Sequence, residues 1–236
     1  GVQALIGQYH TACLFPFLLT TFGAMVASTG LPYLSKEWES GNREAVSRRT
    51  NLMIVSLGVV CLAVSVAILL VAPVLFGQIW KDKFAVGESL LPITLCYCSV
   101  AAVALVAQNY LWCIERAWMS TLVLAVGLSC NFVFGLAFVA PYGLDGVVIS
   151  TLIAHVVVLI GLLLLCHRNG MKIEIGVILT TAALFMIGLG PLPALACLVG
   201  VVVVAARTQW FFSDDDKRVF YQRFEEFCSR VFKKAS

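Results

Sequence analysis

Long uncharged stretches alternate with short charged ones along this chain. No Asp, Glu, Lys or Arg occurs in 1–35, 50–80, 89–114, 117–144, 146–167 or 175–206. A helix crosses a bilayer in roughly 20 apolar residues, so each stretch is long enough to span. The pattern predicts membrane helices at about 11–31, 51–76, 90–111, 118–140 and 147–166. The 32 uncharged residues of 175–206 are too many for one span and few for two. Gly188-Leu189-Gly190-Pro191-Leu192-Pro193 interrupts them and favours two short helices, 175–189 and 192–206, with a single crossing as the alternative. Between the first two spans, Pro32–Thr50 holds four basic and three acidic residues and reads as a short surface helix broken at Gly41-Asn42. Gly1–His10 is uncharged and has no basic leader, so no signal peptide is expected.

The stretch Gly127–Thr151 ties two of these spans together. An apolar segment runs to Ala140, the turn Pro141-Tyr142-Gly143-Leu144-Asp145-Gly146 follows, and an apolar segment returns. Proline and glycine punctuate the turn, and Asp145 can cap the returning helix. Gly127, Asn131 and Gly135 are four apart and share a helix face. Small residues there allow close helix approach, and an asparagine can hydrogen-bond across. The expectation is a transmembrane helical hairpin. Asn131 serves in it either as interhelical glue or as a pore-lining group. With one arm ending at Ala140 and the other beginning near Val147, Asn131 and His155 fall at equal depth, roughly 12–14 Å below the turn, and are expected to pair.

Composition agrees with the pattern: 61% of the 236 residues are hydrophobic and 12% charged, about half the charged share of a soluble domain. The chain reads as an all-α polytopic membrane protein of about seven spans. Basic residues are distributed unevenly. With seven spans, one side collects the first loop (Lys36, Arg43, Arg48, Arg49), Arg116, Arg168, Lys172 and the seven of the tail, 14 of the 16 Lys and Arg. Lys81 and Lys83 remain opposite. Cytoplasmic loops are enriched in Lys and Arg, so the loop at 40 and the tail are expected inside and the 141–146 turn outside. Trp80, Trp112, Trp118 and Trp210 fall at the expected interfaces. In the tail, 207–236, Ser213 and three aspartates open a helix whose Phe220, Phe224, Phe227 and Val231 share one face. It reads as an amphipathic helix on the cytoplasmic membrane surface, or docked on its own bundle.

The chemistry of catalysis is not visible. There is no Gly-rich phosphate loop, HExxH or GxSxG, and no span contains a carboxylate. The chain is not expected to be an enzyme or to hold a cofactor or metal. The nine cysteines lack a paired CxxC and read as small apolar fillers. His155 is the only titratable side chain deep in a span apart from cysteines. It has either a structural partner or a pathway role. Gln108 and Asn109, near the cytoplasmic end of their span, face headgroups or substrate.

Several stretches in order resemble the polysaccharide flippases of the MOP/MATE-like superfamily, the O-antigen (Wzx-type) transporters. Gly7-Gln8-Tyr9, then Leu31-Pro32-Tyr33-Leu34-Ser35-Lys36 with Ser40-Gly41-Asn42-Arg43-Glu44, look like that family's "V-G-x-Y", "P-x-L-S" and "G-[DN]-x-E" patterns. Leu75-Phe76-Gly77, Phe84 and Leu90-Leu91-Pro92 are similar to another stretch. Asn131 followed by Pro141-Tyr142-Gly143-Leu144-Asp145-Gly146-Val147-Val148-Ile149-Ser150-Thr151 looks like "N…P-x-[YF]-G-[IL]-x-G-A-A-I-A-T", with valines and Ser150 in place of small alanines. The resemblance covers residues 5–170 and matches only the second of the family's two six-helix lobes, so it implies a missing N-terminal lobe or partner chain. It further implies translocation of a lipid-linked oligosaccharide across a bacterial inner membrane for polysaccharide or lipopolysaccharide synthesis. The partners expected are that lipid-linked cargo and the bilayer, with no nucleic acid. Substrate-contact candidates are Gln108, Asn109, Asn131 and His155. A multidrug or lipid-precursor exporter of the same superfamily, or a non-transporting subunit or remnant, are the alternatives.

Overall fold

A computed structural model describes residues 2–74, 76 and 85–207. Its elements are α1 (Val2–Glu39), α2 (Arg43–Val74), α3 (Ala85–Cys113), α4 (Ala117–Arg168), α5 (Ile175–Phe185), a 3-10 turn (Met186–Leu189) and α6 (Pro191–Arg207). Among the described residues the fold is all-helical. α1 to α4 are long and apolar enough to cross a membrane. α5 and α6 extend only about 17 and 26 Å, short of a hydrocarbon core of about 30 Å. The tail expected at 208–236, together with Trp80, Lys81, Lys83 and Trp210, lies outside the described residues.

The first boundary differs from expectation. No separate surface helix occupies Pro32–Thr50, because α1 continues through Pro16 and Pro32 to Glu39 and α2 begins at Arg43. Proline removes one donor from a helix but does not end it where neighbouring helices fix the flanking turns. The break itself is where Gly41-Asn42 placed it. Gly41 adopts φ +80°, and Asn42 Oδ1 accepts the Ala45 N–H at 3.3 Å, capping α2.

α4 is the expected hairpin, with a tighter turn. Only Gly143 leaves helical geometry, at φ 57° and ψ −127°. Pro141 and Tyr142 are still helical, and Asp145 sits in the first turn of the returning arm. The arms, 117–142 and 144–168, are each about 37–39 Å long, enough to cross a bilayer. They lie side by side: Gly127 abuts Val158, Gly161 abuts Val123, and Gly135 faces Ser150. A Cβ at Gly127 would overlap the Val158 side chain.

α4 closes with glycine chemistry too. The Met171 and Gly170 amides return to the Cys166 and His167 carbonyls around Gly170 at φ 98°, a Schellman ending. At the end of α3, Glu115 takes the same left-handed position at φ 60°, with Arg116 N–H bonded to the Leu111 carbonyl. Between the short helices, Gly190 at φ 107° breaks the run and Pro191 opens α6 in the position that tolerates a missing amide.

α3 is the centre of the bundle. Leu95, Val100, Val103, Val106, Ala107 and Leu111 are all fully buried. α1 reaches α3 where Gly23 meets Ala102, α2 through Ser65 and Ser99 hydroxyls 3.4 Å apart, α4 through Cys166 Sγ on the Ala107 carbonyl, and the short helices through Cys96 Sγ on the Leu184 carbonyl. Gly58 of α2 receives the Thr180 methyl of α5. The eight described cysteines are free. Cys96 and Cys98 point to different neighbours, as their spacing required. Outward faces are apolar: Leu14, Leu18, Leu128, Phe132 and Leu136 are more than half exposed, a surface suited to lipid.

The loops at 40–42, 114–116 and 169–174 gather at one end. Arg116 donates to Asn169 Oδ1, Tyr110 Oη to the Asn169 carbonyl at 3.2 Å, and Asn51 Nδ2 to the Lys172 carbonyl at 2.7 Å. Lys36, Arg43, Arg48, Arg49, Arg116, Arg168 and Lys172 belong to this end. Gly143, Asp145 and Glu88 mark the other.

The turn yields a stability prediction. L-residues are strongly disfavoured at the Gly143 conformation, so Gly143→Ala should cost about 1–3 kcal/mol and lower the unfolding midpoint in detergent. Gly200 is helical with open space around it, so Gly200→Ala should be neutral or stabilising by up to about 1 kcal/mol. Equal effects of the two variants would contradict the turn.

Candidate functional site: a polar cluster within the bundle

Polar side chains gather where α1, α3 and both arms of α4 meet. Tyr97 on α3 is buried, and its hydroxyl lies 3.4 Å from that of Tyr9 and 3.5 Å from Cys13 Sγ, both on α1. The His155 ring stacks on the Tyr97 ring, with centroids 5.5 Å apart and planes at 29°. His155 Nδ1 lies 2.8 Å from the Thr151 carbonyl, one turn earlier in its own helix. Asn131 Oδ1 accepts from Ser150 Oγ at 3.3 Å and Thr151 Oγ1 at 3.4 Å, joining the arms. Along α4 these groups stand about 12–18 Å from Gly143, which is the middle of a hydrocarbon core.

Each part follows from local sequence. The 127–131–135 stripe brings arm 117–142 close enough for an amide to reach hydroxyls across the gap. Ser150 and Thr151 also bond the Val147 carbonyl at 2.8 and 2.9 Å, which fixes their rotamers and turns their oxygens toward Asn131. Leu90 and Val148 pack with Tyr97 and Cys98 in a small apolar cluster on the Gly143 side of the site.

The expected Asn131–His155 hydrogen bond is not formed. The reason is facing. Asn131 and His155 stand equally far from Gly143 along their arms and so lie at the same depth, but the Asn131 side chain turns toward the Ser150 and Thr151 hydroxyls, nearer the turn, while the His155 ring turns onto Tyr97. The two residues belong to the same cluster through Thr151, which touches both. Gln108 and Asn109 do not. They lie about 17–18 Å further along α3, toward the basic end. Both are buried, and Asn109 Nδ2 donates to the Ala27 carbonyl at 2.7 Å, tying α3 to α1. Headgroup contact is therefore not what Asn109 does.

The sequence reading missed Tyr97, Tyr9 and Cys13. Their signal was weak: a tyrosine flanked by cysteines, and a tyrosine and cysteine four apart on one face of α1. What the cluster offers chemically is uncharged donors and acceptors with an aromatic face. Among the described residues, no three His, Cys, Asp or Glu stand close enough to share a metal ion.

Comparisons with protein-family models, curated proteins and solved structures find no match to this chain.

Packing and hydrogen bonding in the hairpin can be separated. Asn131→Ala removes membrane hydrogen bonds worth about 0.6 kcal/mol on average and up to roughly 1.7. Gly127→Leu forces the arms apart and should cost several times more, with loss of folded protein in detergent. Thermal unfolding of both variants checks this, and an Asn131→Ala effect equal to or above that of Gly127→Leu would overturn it.

Proposed function

We propose that this chain is the C-terminal half of a flippase that moves a lipid-linked oligosaccharide across a membrane. The observation that carries the reading is the uncharged polar cluster that Tyr97 of α3 forms at mid-membrane depth with His155, Thr151 and Asn131 of the hairpin, whose residues resemble the flippase pattern. A sugar hydroxyl stripped of water without a partner costs roughly 2–7 kcal/mol. Translocation therefore needs neutral donors, acceptors and an aromatic face along the path, while the lipid tail stays in the bilayer. A second lobe, from a longer chain or a partner, would close the other wall, and rocking of the two would open alternate sides. On this reading seven segments cross the membrane, with α5 and α6 as short spans over which the bilayer thins and the basic end in the cytoplasm.

One observation favours a second reading, a non-transporting membrane subunit. Asn131 is bonded to Ser150 and Thr151, and Tyr97 to Tyr9 and Cys13, so the cluster serves as interhelical glue without any cargo.

Deletion of the coding region in the native host separates these. The flippase reading expects surface polysaccharide to disappear and its lipid-linked precursor to accumulate. Complementation with His155→Ala should restore the protein to the membrane but restore polysaccharide several-fold less than the wild-type chain. The chain without a second lobe should not restore polysaccharide in a strain lacking its own flippase. Normal polysaccharide after deletion contradicts the reading.

A further inference from the structure

At the basic end of the bundle the two arms of α4 part to leave an apolar slot of about 360 Å³. Trp118, Leu122 and Val126 line it from one arm, and Val157, Gly161 and Leu165 from the other. Gly161 lacks a side chain, and Val123 occupies the space beside its backbone, which sets the floor. The walls are almost wholly carbon. Trp118, Leu122 and Val126 are each more than half exposed, so the slot opens to the surroundings of the bundle. From Trp118 to Val126 it runs about 12 Å, close to the depth of one leaflet's hydrocarbon.

Charge crowns the same slot. Arg168 continues the 157–161–165 stripe at helical spacing and is exposed. Arg116 stands two residues before Trp118 with its guanidinium on Asn169. Glu115 is the carboxylate of that loop. Lys172 is turned away to Glu44 at 3.0 Å. An indole at the rim, two guanidinium groups at headgroup level and a carbon-walled slot beneath them match one molecule: an anionic head on an acyl chain. We propose that this slot binds an anionic phospholipid of the leaflet that meets the basic end, with an acyl chain between the arms and the phosphate toward Arg168. The site is independent of the transport reading and lies nearer the basic end of α4 than Asn131.

The test is native mass spectrometry of the purified full chain in detergent, offered equal amounts of phosphatidylglycerol and phosphatidylcholine with identical acyl chains. The wild-type chain should retain phosphatidylglycerol preferentially. One basic group at an anionic surface is worth a factor of about five, so Arg168→Gln should lower the ratio of bound phosphatidylglycerol to phosphatidylcholine about fivefold. Val126→Trp, which plugs the slot, should lower retention of both lipids. Circular dichroism and unfolding midpoint of each variant confirm that it is folded. Equal retention of the two lipids by the wild-type chain would overturn the site. So would a ratio unchanged by Arg168→Gln together with retention unchanged by Val126→Trp, which would move the preference to basic residues elsewhere, such as those of 217–234.

Discussion

Close approach of helix backbones is the condition on which this bundle depends. In lipid, one apolar helix surface gains little by exchanging acyl chains for another apolar surface, so association rests on close van der Waals packing and interhelical hydrogen bonds. Both fall off steeply with distance. The chain meets the condition with glycine at several seams: Gly23 against Ala102, Gly58 against Thr180, Gly127 against Val158 and Gly161 against Val123. Once the backbones are that close, short polar side chains reach across. Ser65 meets Ser99, Asn109 meets the Ala27 carbonyl, and Asn131 meets Ser150 and Thr151. The Asn131 part of the polar cluster is a consequence of the glycine seam between the arms.

Much of this was written in local sequence. Charge-free stretches marked the helices, Gly41-Asn42 marked the first break, and the Gly190 region marked the last. The face formed by Gly127, Asn131 and Gly135 was legible because a period of four is a helix property and small residues have one obvious use in lipid. The turn was legible in place but not in size. Six turn-forming residues suggested a loop, yet Pro141 and Asp145 are compatible with helix ends, and Gly143 alone can take the reversing conformation. The reversal is centred where those residues placed it, so Asn131 and His155 do lie level, but depth does not set which way a side chain faces, and Asn131 faces Ser150 and Thr151.

The central position of α3 was not legible. Its composition differs little from its neighbours, and what distinguishes it is burial on all sides, a property of topology. The same limit hid Tyr97, which acquires meaning only when α1 brings Tyr9 and Cys13 to its hydroxyl and α4 brings His155 to its ring. Pairings this far apart in sequence, 84 and 88 residues for Cys13 and Tyr9 with Tyr97, leave no local period to detect. α1 shows the opposite limit: Pro32 was read as the start of a surface helix, but α1 runs on through it to Glu39.

The functional account comes down to whether the polar cluster meets water. A cargo path needs an aqueous face on Tyr97, His155 and Thr151, whereas glue needs only each other. The direct measurement is thiol accessibility at position 155 in the native membrane. His155→Cys, introduced into a chain with its nine natural cysteines replaced, is exposed to a membrane-impermeant maleimide. The account predicts modification from the aqueous phase, slowed when lipid-linked oligosaccharide accumulates. Resistance to the impermeant reagent, with reaction only to a lipid-soluble one, would show a dry cluster and contradict the transport reading.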